Sequence, residues 1–349
     1  MRHFRCQCGN TLFFENTTCL QCGLLVGYDP EQGQLLALDA EGGKILCQNG
    51  TSFGACNWLT AGPQQTYCKA CLLNRVVPDL SLPANLESWR RVESAKRRVL
   101  YTLLQLRIDP PRLADDATRG LAFDTLAPLD GSPVLTGYAN GVITLNLKEA
   151  DPAERERRRS QLGEPYRTLV GHFRHESAHY IWQQFFGGQS EDSLELRAFR
   201  ELFGDERADY AAALQQHYAS GAPVGWETEF ISAYASVHPH EDWAECWAHY
   251  LHIVDGTETT EHFGINSKSV PIPFTRFSSD VAELPQGLEL SKAEEKRFME
   301  KLHSWAKLSP ALNEVASSIG HEGIYPFVLS LKVAKKLCFV HRMVVARQG

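Results

Sequence analysis

The chain has 349 residues, more than one domain usually holds, and its 43% hydrophobic and 10% aromatic content excludes a mainly disordered protein. A formal charge of −7, with no long Lys/Arg block to offset it, argues against a general nucleic-acid binder. No apolar run reaches the roughly 18 residues of a membrane span, and the first six residues lack the apolar stretch of a secretory signal. A cytoplasmic, reducing location without membrane association is therefore expected. There, cysteines serve as metal ligands or buried thiols before they serve as disulfides.

Eight of the ten cysteines precede residue 72, a density that scattered core thiols would not produce. Cys6 and Cys8 form C-x-C, Cys19 and Cys22 form C-x-x-C, and Cys47 and Cys56 lead to a closing C-x-x-C at Cys68 and Cys71. Zinc takes four soft thiolates in a tetrahedron, and two cysteines on a tight turn supply two corners. Gly9 and Gly23, just after their pairs, supply the backbone freedom such turns need. The spacing predicts two structural zinc sites, Cys6/Cys8/Cys19/Cys22 and Cys47/Cys56/Cys68/Cys71, with interleaved pairings as the alternative and iron bound as in rubredoxins as the rival metal. With four positions filled, neither site has a place for substrate. Residues 1–80 carry five Lys/Arg against six Asp/Glu, so a structural or protein-docking ribbon is favoured over a phosphate-binding one.

The Pro-containing stretch 77–85 marks a boundary, which places a zinc-ribbon domain at 1–80 and a second domain at 81–349. Asn85 is positioned to cap a helix whose stripe of Leu86, Trp89, Val92, Val99, Leu103 and Leu106 is expected to pack on the second domain. Asn140-Gly141 between Val134–Tyr138 and Val142–Leu147 signals a β-hairpin. Asp151-Pro152 begins a charged helix whose Arg155–Arg159 run reads as a solvated face, and Glu164-Pro165 begins another helix.

That next helix carries His175-Glu176-Ser177-Ala178-His179, an H-E-x-x-H motif. At spacing i, i+4 both imidazoles project from one face and can share a zinc ion. Glu176 lies beside them, placed to take a proton from a zinc-bound water whose pKa the metal has lowered. The competing reading is a helix that happens to carry two histidines. Val142–Leu147 is expected to line the cleft edge and pair with a substrate backbone. His172, one turn earlier, reads as a packing or supporting residue.

A catalytic zinc needs a third protein ligand and an open position. Downstream candidates are the acids of 203–210, Glu206 and Asp209 among them, and the segment 238–250, with Glu241 and Glu245 at i, i+4 and His249 beyond. One glutamate can bind zinc while the other holds a ligand histidine by its free ring N–H. An H-E-x-x-H helix followed by E-x-x-A-E resembles the gluzincin peptidases, in a form similar to that of anthrax lethal factor. The resemblance implies Glu241 as the zinc ligand, Glu245 as its outer partner, and Tyr234, seven residues before the ligand, as a hydroxyl facing the metal and the developing oxyanion. The whole chain also resembles a bacterial family of zinc-binding metallopeptidases with an N-terminal zinc ribbon. That resemblance runs through Phe13-Phe14-Glu15-Asn16, Cys56-Asn57-Trp58-Leu59, Leu73-Asn74-Arg75, the H-E-x-x-H helix, E-D-W-A-E and Tyr325-Pro326-Phe327-Val328.

Beyond the site, residues 255–280 read as a long polar loop, Ser291–Glu294 as a capping box, Ser309-Pro310 as a helix start, and 325–345 as a core helix. Cys246 and Cys338 are expected as buried thiols. The fold expectation is α+β: a small double zinc ribbon, then a mainly helical gluzincin-like domain with a short hairpin. The functional expectation is a zinc-dependent peptidase with one catalytic and two structural zinc ions, acting on a peptide or protein. The ribbon is available to dock a protein partner, and no nucleic acid is involved. The rivals are a non-catalytic binding module with structural zinc alone, and a hydrolase of a non-peptide amide.

Overall fold

Tight turns at the cysteine pairs organise the N-terminal part of the chain. Strand β1 (Phe4–Arg5) pairs antiparallel with β2 (Thr11–Leu12), and Cys6 and Cys8 sit on the turn between them. Gly9 closes that turn through its N–H to the Cys6 carbonyl at φ +87°, a conformation a side chain would strain. Strands β3 (Val26–Asp29) and β4 (Gln34–Ala37) form a second hairpin. Cys47 and Cys68 stand immediately before the short helices α1 (Gln48–Phe53) and α2 (Lys69–Leu72).

A computed structural model of the chain describes residues 1–38, 43–128, 134–162, 164 and 166–348. The chain divides into two compact units, Met1–Glu176 and Ser177–Gly349, with the division falling inside one helix. In the first unit, Tyr28 meets Phe14 and Tyr101 edge-to-face and Trp58 at a tilt, at ring separations of 5.0 to 5.7 Å. Tyr101 belongs to α3 (Pro83–Gln105), the helix expected to pack on a later domain. It packs on the ribbon, where Arg97 donates to the Ala55 carbonyl and Ser94 to Glu15, and also, as expected, on residues 147–150 of the second domain, where Arg91 donates to the Ala150 carbonyl. Asn85 lies inside this helix rather than at its cap and donates to the Asp79 carbonyl.

Strands β5 (Asn74–Val76), β6 (Ala122–Leu126), β7 (Gly137–Ala139) and β8 (Val142–Asn146) form one sheet in the order β5-β6-β8-β7. The β7–β8 pair is the hairpin signalled by Asn140-Gly141, both residues at positive φ. Among the described residues β8 is interior, parallel to β6 on one side and antiparallel to β7 on the other. The strand expected at a cleft edge therefore has its backbone already paired. β7 is the edge.

Helix α4 (Pro152–Leu162) carries the arginine run, paired with Glu154, Glu156 and Glu149. Pro165, expected at a helix start, lies outside the described residues, and helix α5 runs from Leu169 to Phe186. The second unit holds the end of α5 with α6 (Leu194–Phe203), α7 (Tyr210–Ser220), α8 (Pro239–His262), α9 (Lys292–Ser318) and α10 (Leu331–Val345). Its core is aromatic, built on Trp243, Trp247, Phe186, Phe199 and Phe339. Helix α8 runs through residues expected as loop, and Pro310 lies inside α9 rather than at a helix start. Cys246 and Cys338 are both fully buried. No helix among the described residues is long and apolar enough to cross a membrane.

Candidate active site

Three groups of potential metal ligands form among the described residues, and two are the cysteine quartets in the grouping that sequence spacing favoured: Cys6/Cys8/Cys19/Cys22 and Cys47/Cys56/Cys68/Cys71. The Sγ atoms of Cys6 and Cys22, Cys8 and Cys19, and Cys56 and Cys68 are each 3.6 Å apart. A zinc tetrahedron with bonds of about 2.3 Å has edges of about 3.8 Å, so the sulfur spacing fits the ion. The first site is half open, with Cys8 and Cys22 exposed, whereas all four sulfurs of the second lie on buried residues.

The third group is His175, His179 and Glu241, one ligand atom from each lying within 4.8 Å of the others. Helix α5 supplies the two imidazoles one turn apart. Helix α8 supplies the carboxylate, with Glu241 Oε1 3.8 Å from His179 Nε2. Two tryptophans of α8 fix it to α5: Trp243 donates to the Ala178 carbonyl at 3.0 Å and Trp247 to the Ser177 hydroxyl at 3.2 Å. The ligand helix thus grips the motif helix at two of the three residues between its histidines.

Local sequence places Glu241 in the first turn of α8. His238 caps that turn by accepting from the His240 N–H, and Pro239 begins the helix where no N–H partner is needed. A carboxylate there is favoured by the helix dipole. Glu241 is 2% exposed, and Tyr210 donates its hydroxyl to Oε1 at 2.9 Å. Two imidazoles and one nearly buried carboxylate are a donor set suited to a zinc ion with three protein ligands and an open position. His175, His179 and Glu176 are half-buried, which leaves that side of the group reachable.

Tyr234 stands on a single 3-10 turn just before α8. Burial, then the negative charge of Glu241 and the neighbouring Tyr210 and Tyr218, push its phenol well above the ordinary range, so it stays protonated. Glu245, one turn after Glu241, accepts from the Ser232 hydroxyl at 2.7 Å. Asp242 pairs with Lys336 of α10, and burial, outweighing the lysine, raises its carboxyl to about 7. His240 packs edge-on to Trp182 at 4.5 Å, and burial followed by His238 lowers its pKa.

The other candidates are engaged elsewhere. Glu206 is held by Arg200, at 2.6 Å to Nη2, and Asp209 caps α7 by accepting from the Ala212 N–H. His249 bonds the Tyr325 hydroxyl at 2.9 Å and packs on Phe327. His172 pairs with Glu149. Tyr210 and Ser232 were not found from sequence. Neither has a motif, and Tyr210 lies 31 residues from the carboxylate it touches.

Comparison with known proteins agrees with these observations. The model of a family described as "Putative zinc-binding metallo-peptidase" matches residues 85–343, and that of a zinc-ribbon domain matches residues 3–82. An uncharacterized protein of Mycobacterium bovis and uncharacterized proteins of two Mycobacterium tuberculosis strains are each 38% identical over 346 residues, covering 99% of this chain and 95% of theirs. No solved structure matches. With its ribbon cysteines in two quartets and both family models matched, the chain belongs to the family of "Putative zinc-binding metallo-peptidase" proteins and carries an N-terminal zinc ribbon.

Proposed function

We propose that the protein is a zinc-dependent peptidase that hydrolyses a peptide bond, with His175, His179 and Glu241 holding the catalytic ion. The observation that carries this reading is the convergence of those three side chains beside Glu176. When bound, zinc supplies Lewis acidity to a water in its open position and to a substrate carbonyl. Glu176 takes a proton from the attacking water and returns it to the leaving nitrogen, as a carboxylate beside the reacting atoms can do. Tyr234, kept protonated by its surroundings, donates to the carbonyl oxygen as that atom gains negative charge. Glu245, fixed by Ser232, steadies the ligand shell from outside.

In this reading residues 1–80 are a ribbon with two structural zinc ions, available to a protein partner, and 81–349 carry the chemistry. Two quartets of free thiols suit a reducing compartment, and the reading places the protein in the cytoplasm. Elemental analysis tests the proposal. About three zinc ions per chain, falling to about two in the His175→Ala/His179→Ala variant, are expected. About two in both proteins would leave only the ribbon metallated and favour the binding-module reading.

A further inference from the structure

Helix α7 differs from the other long helices of its unit in having no buried side chain. It runs Tyr-Ala-Ala-Ala-Leu-Gln-Gln-His-Tyr-Ala-Ser, with no Asp, Glu, Lys or Arg to solvate it. An exposed helix without a core face draws little stability from packing and belongs to the easily opened part of a fold. Glycines in left-handed backbone flank it, Gly204 at φ +101° before and Gly221 at φ +73° after.

Its contacts converge on the metal-ligand group. Tyr210 donates to Glu241 Oε1 at 2.9 Å and meets the ring of His238, the cap of α8, at 5.2 Å. Two turns further along the same face, His217 stands edge-on to Tyr234 at 6.1 Å. A carboxylate oxygen has lone pairs for both a hydroxyl donor and a metal ion, and ligand carboxylates are commonly oriented by such bonds.

We propose that α7 is a movable cover over the metal site, latched by Tyr210 onto Glu241, and that Tyr210 is a positioning residue for the ligand carboxylate. The inference rests on the zinc reading of the preceding section. Closing the cover fixes the Glu241 oxygen toward the two imidazoles. Opening it frees the carboxylate to turn and exposes the ion.

The test uses the full-length, zinc-loaded protein and its Tyr210→Phe variant. The third zinc is identified as the one missing from His175→Ala/His179→Ala. In Tyr210→Phe that ion is expected to leave to a chelator about 10-fold faster or more and to bind about 10- to 100-fold more weakly. The ribbon ions are expected to be unaffected, and amides 210–220 should exchange faster. Tyr210 is 41% exposed and phenylalanine keeps its ring, so the fold should tolerate the change. A third zinc that leaves Tyr210→Phe at the wild-type rate would overturn the latch, as would unchanged exchange in α7. A wild type holding only the two ribbon ions would remove the zinc reading itself, and the inference with it.

Discussion

Glu176 and Glu241 are two carboxylates to which the proposed reaction gives different roles, and their surroundings differ accordingly. Glu241 is nearly buried, lies in a helix first turn and carries a tyrosine hydroxyl, all of which favour a fixed anion for a metal. Glu176 is half-buried on α5, between the two histidines in sequence, where the proposed reaction uses it as the base. Glu176→Gln is therefore expected to keep all its zinc and lose hydrolysis of an unfolded protein such as casein by about 100-fold or more. Glu241→Ala is expected to lose the third zinc as well. Wild-type turnover in Glu176→Gln would end the assignment of that residue as base. That His175 and His179 share a face was legible because i, i+4 spacing on a helix sets a geometry by itself. Tyr210 was not, because its nearness to Glu241 depends on where an intervening chain lays a separate helix.

At the scale of elements, helix α8 shows where local reading fails and why. Its polar C-terminal half contains Gly256 and three threonines, which read as loop. Thr257, Thr259 and Thr260 instead return their hydroxyls to carbonyls four residues back, at 2.7, 2.7 and 3.0 Å, so the polar groups are satisfied within the helix. Gly256 is present because a Cβ there would lie 2.2 Å from the Trp305 ring of α9. It marks a close helix crossing, which only tertiary structure reveals. The same helix is tied to α10 by the buried Asp242–Lys336 pair, with the ammonium also bonded to the Glu229 carbonyl and lying 4.5 Å from the Phe230 ring centre. Removing one partner of such a pair strands the other, at a cost of about 3–5 kcal/mol. Lys336→Ala should accordingly lower stability by that amount in denaturant titration and loosen the turn that bears Glu241. A loss below about 1 kcal/mol would show that Asp242 is accommodated without the lysine, by protonation or by water, and that the pair does not anchor the ligand helix.

For the molecule as a whole, eight cysteines announced two four-sulfur sites, but not that the two differ in depth. The exposed cysteines of the first site border solvent, so an ion there would be held by short hairpins with little above them. The second site lies under α3, whose Arg97 is 4% exposed and drawn up in pKa: burial opposes its charge, but Cys56, Glu15, Glu93 and Cys71 outweigh that effect. Lys96 pairs with Glu93 beside it, and Cys71 lies 3.7 Å from the same carboxylate. A tetrathiolate ion carries net negative charge, and a buried guanidinium and ammonium within the packed layer offset it in a medium where water cannot. Folding of the first unit is therefore expected to depend on an ion in the second quartet far more than on one in the first. Cys8→Ser/Cys22→Ser should lose one zinc per chain and melt near the wild-type temperature, while Cys56→Ser/Cys68→Ser should lose the folding of the first unit. A chelator should strip the two ribbon ions in that order. If both double variants lowered the melting temperature equally, depth would not be what separates the sites, and the buried cations of α3 would need another explanation.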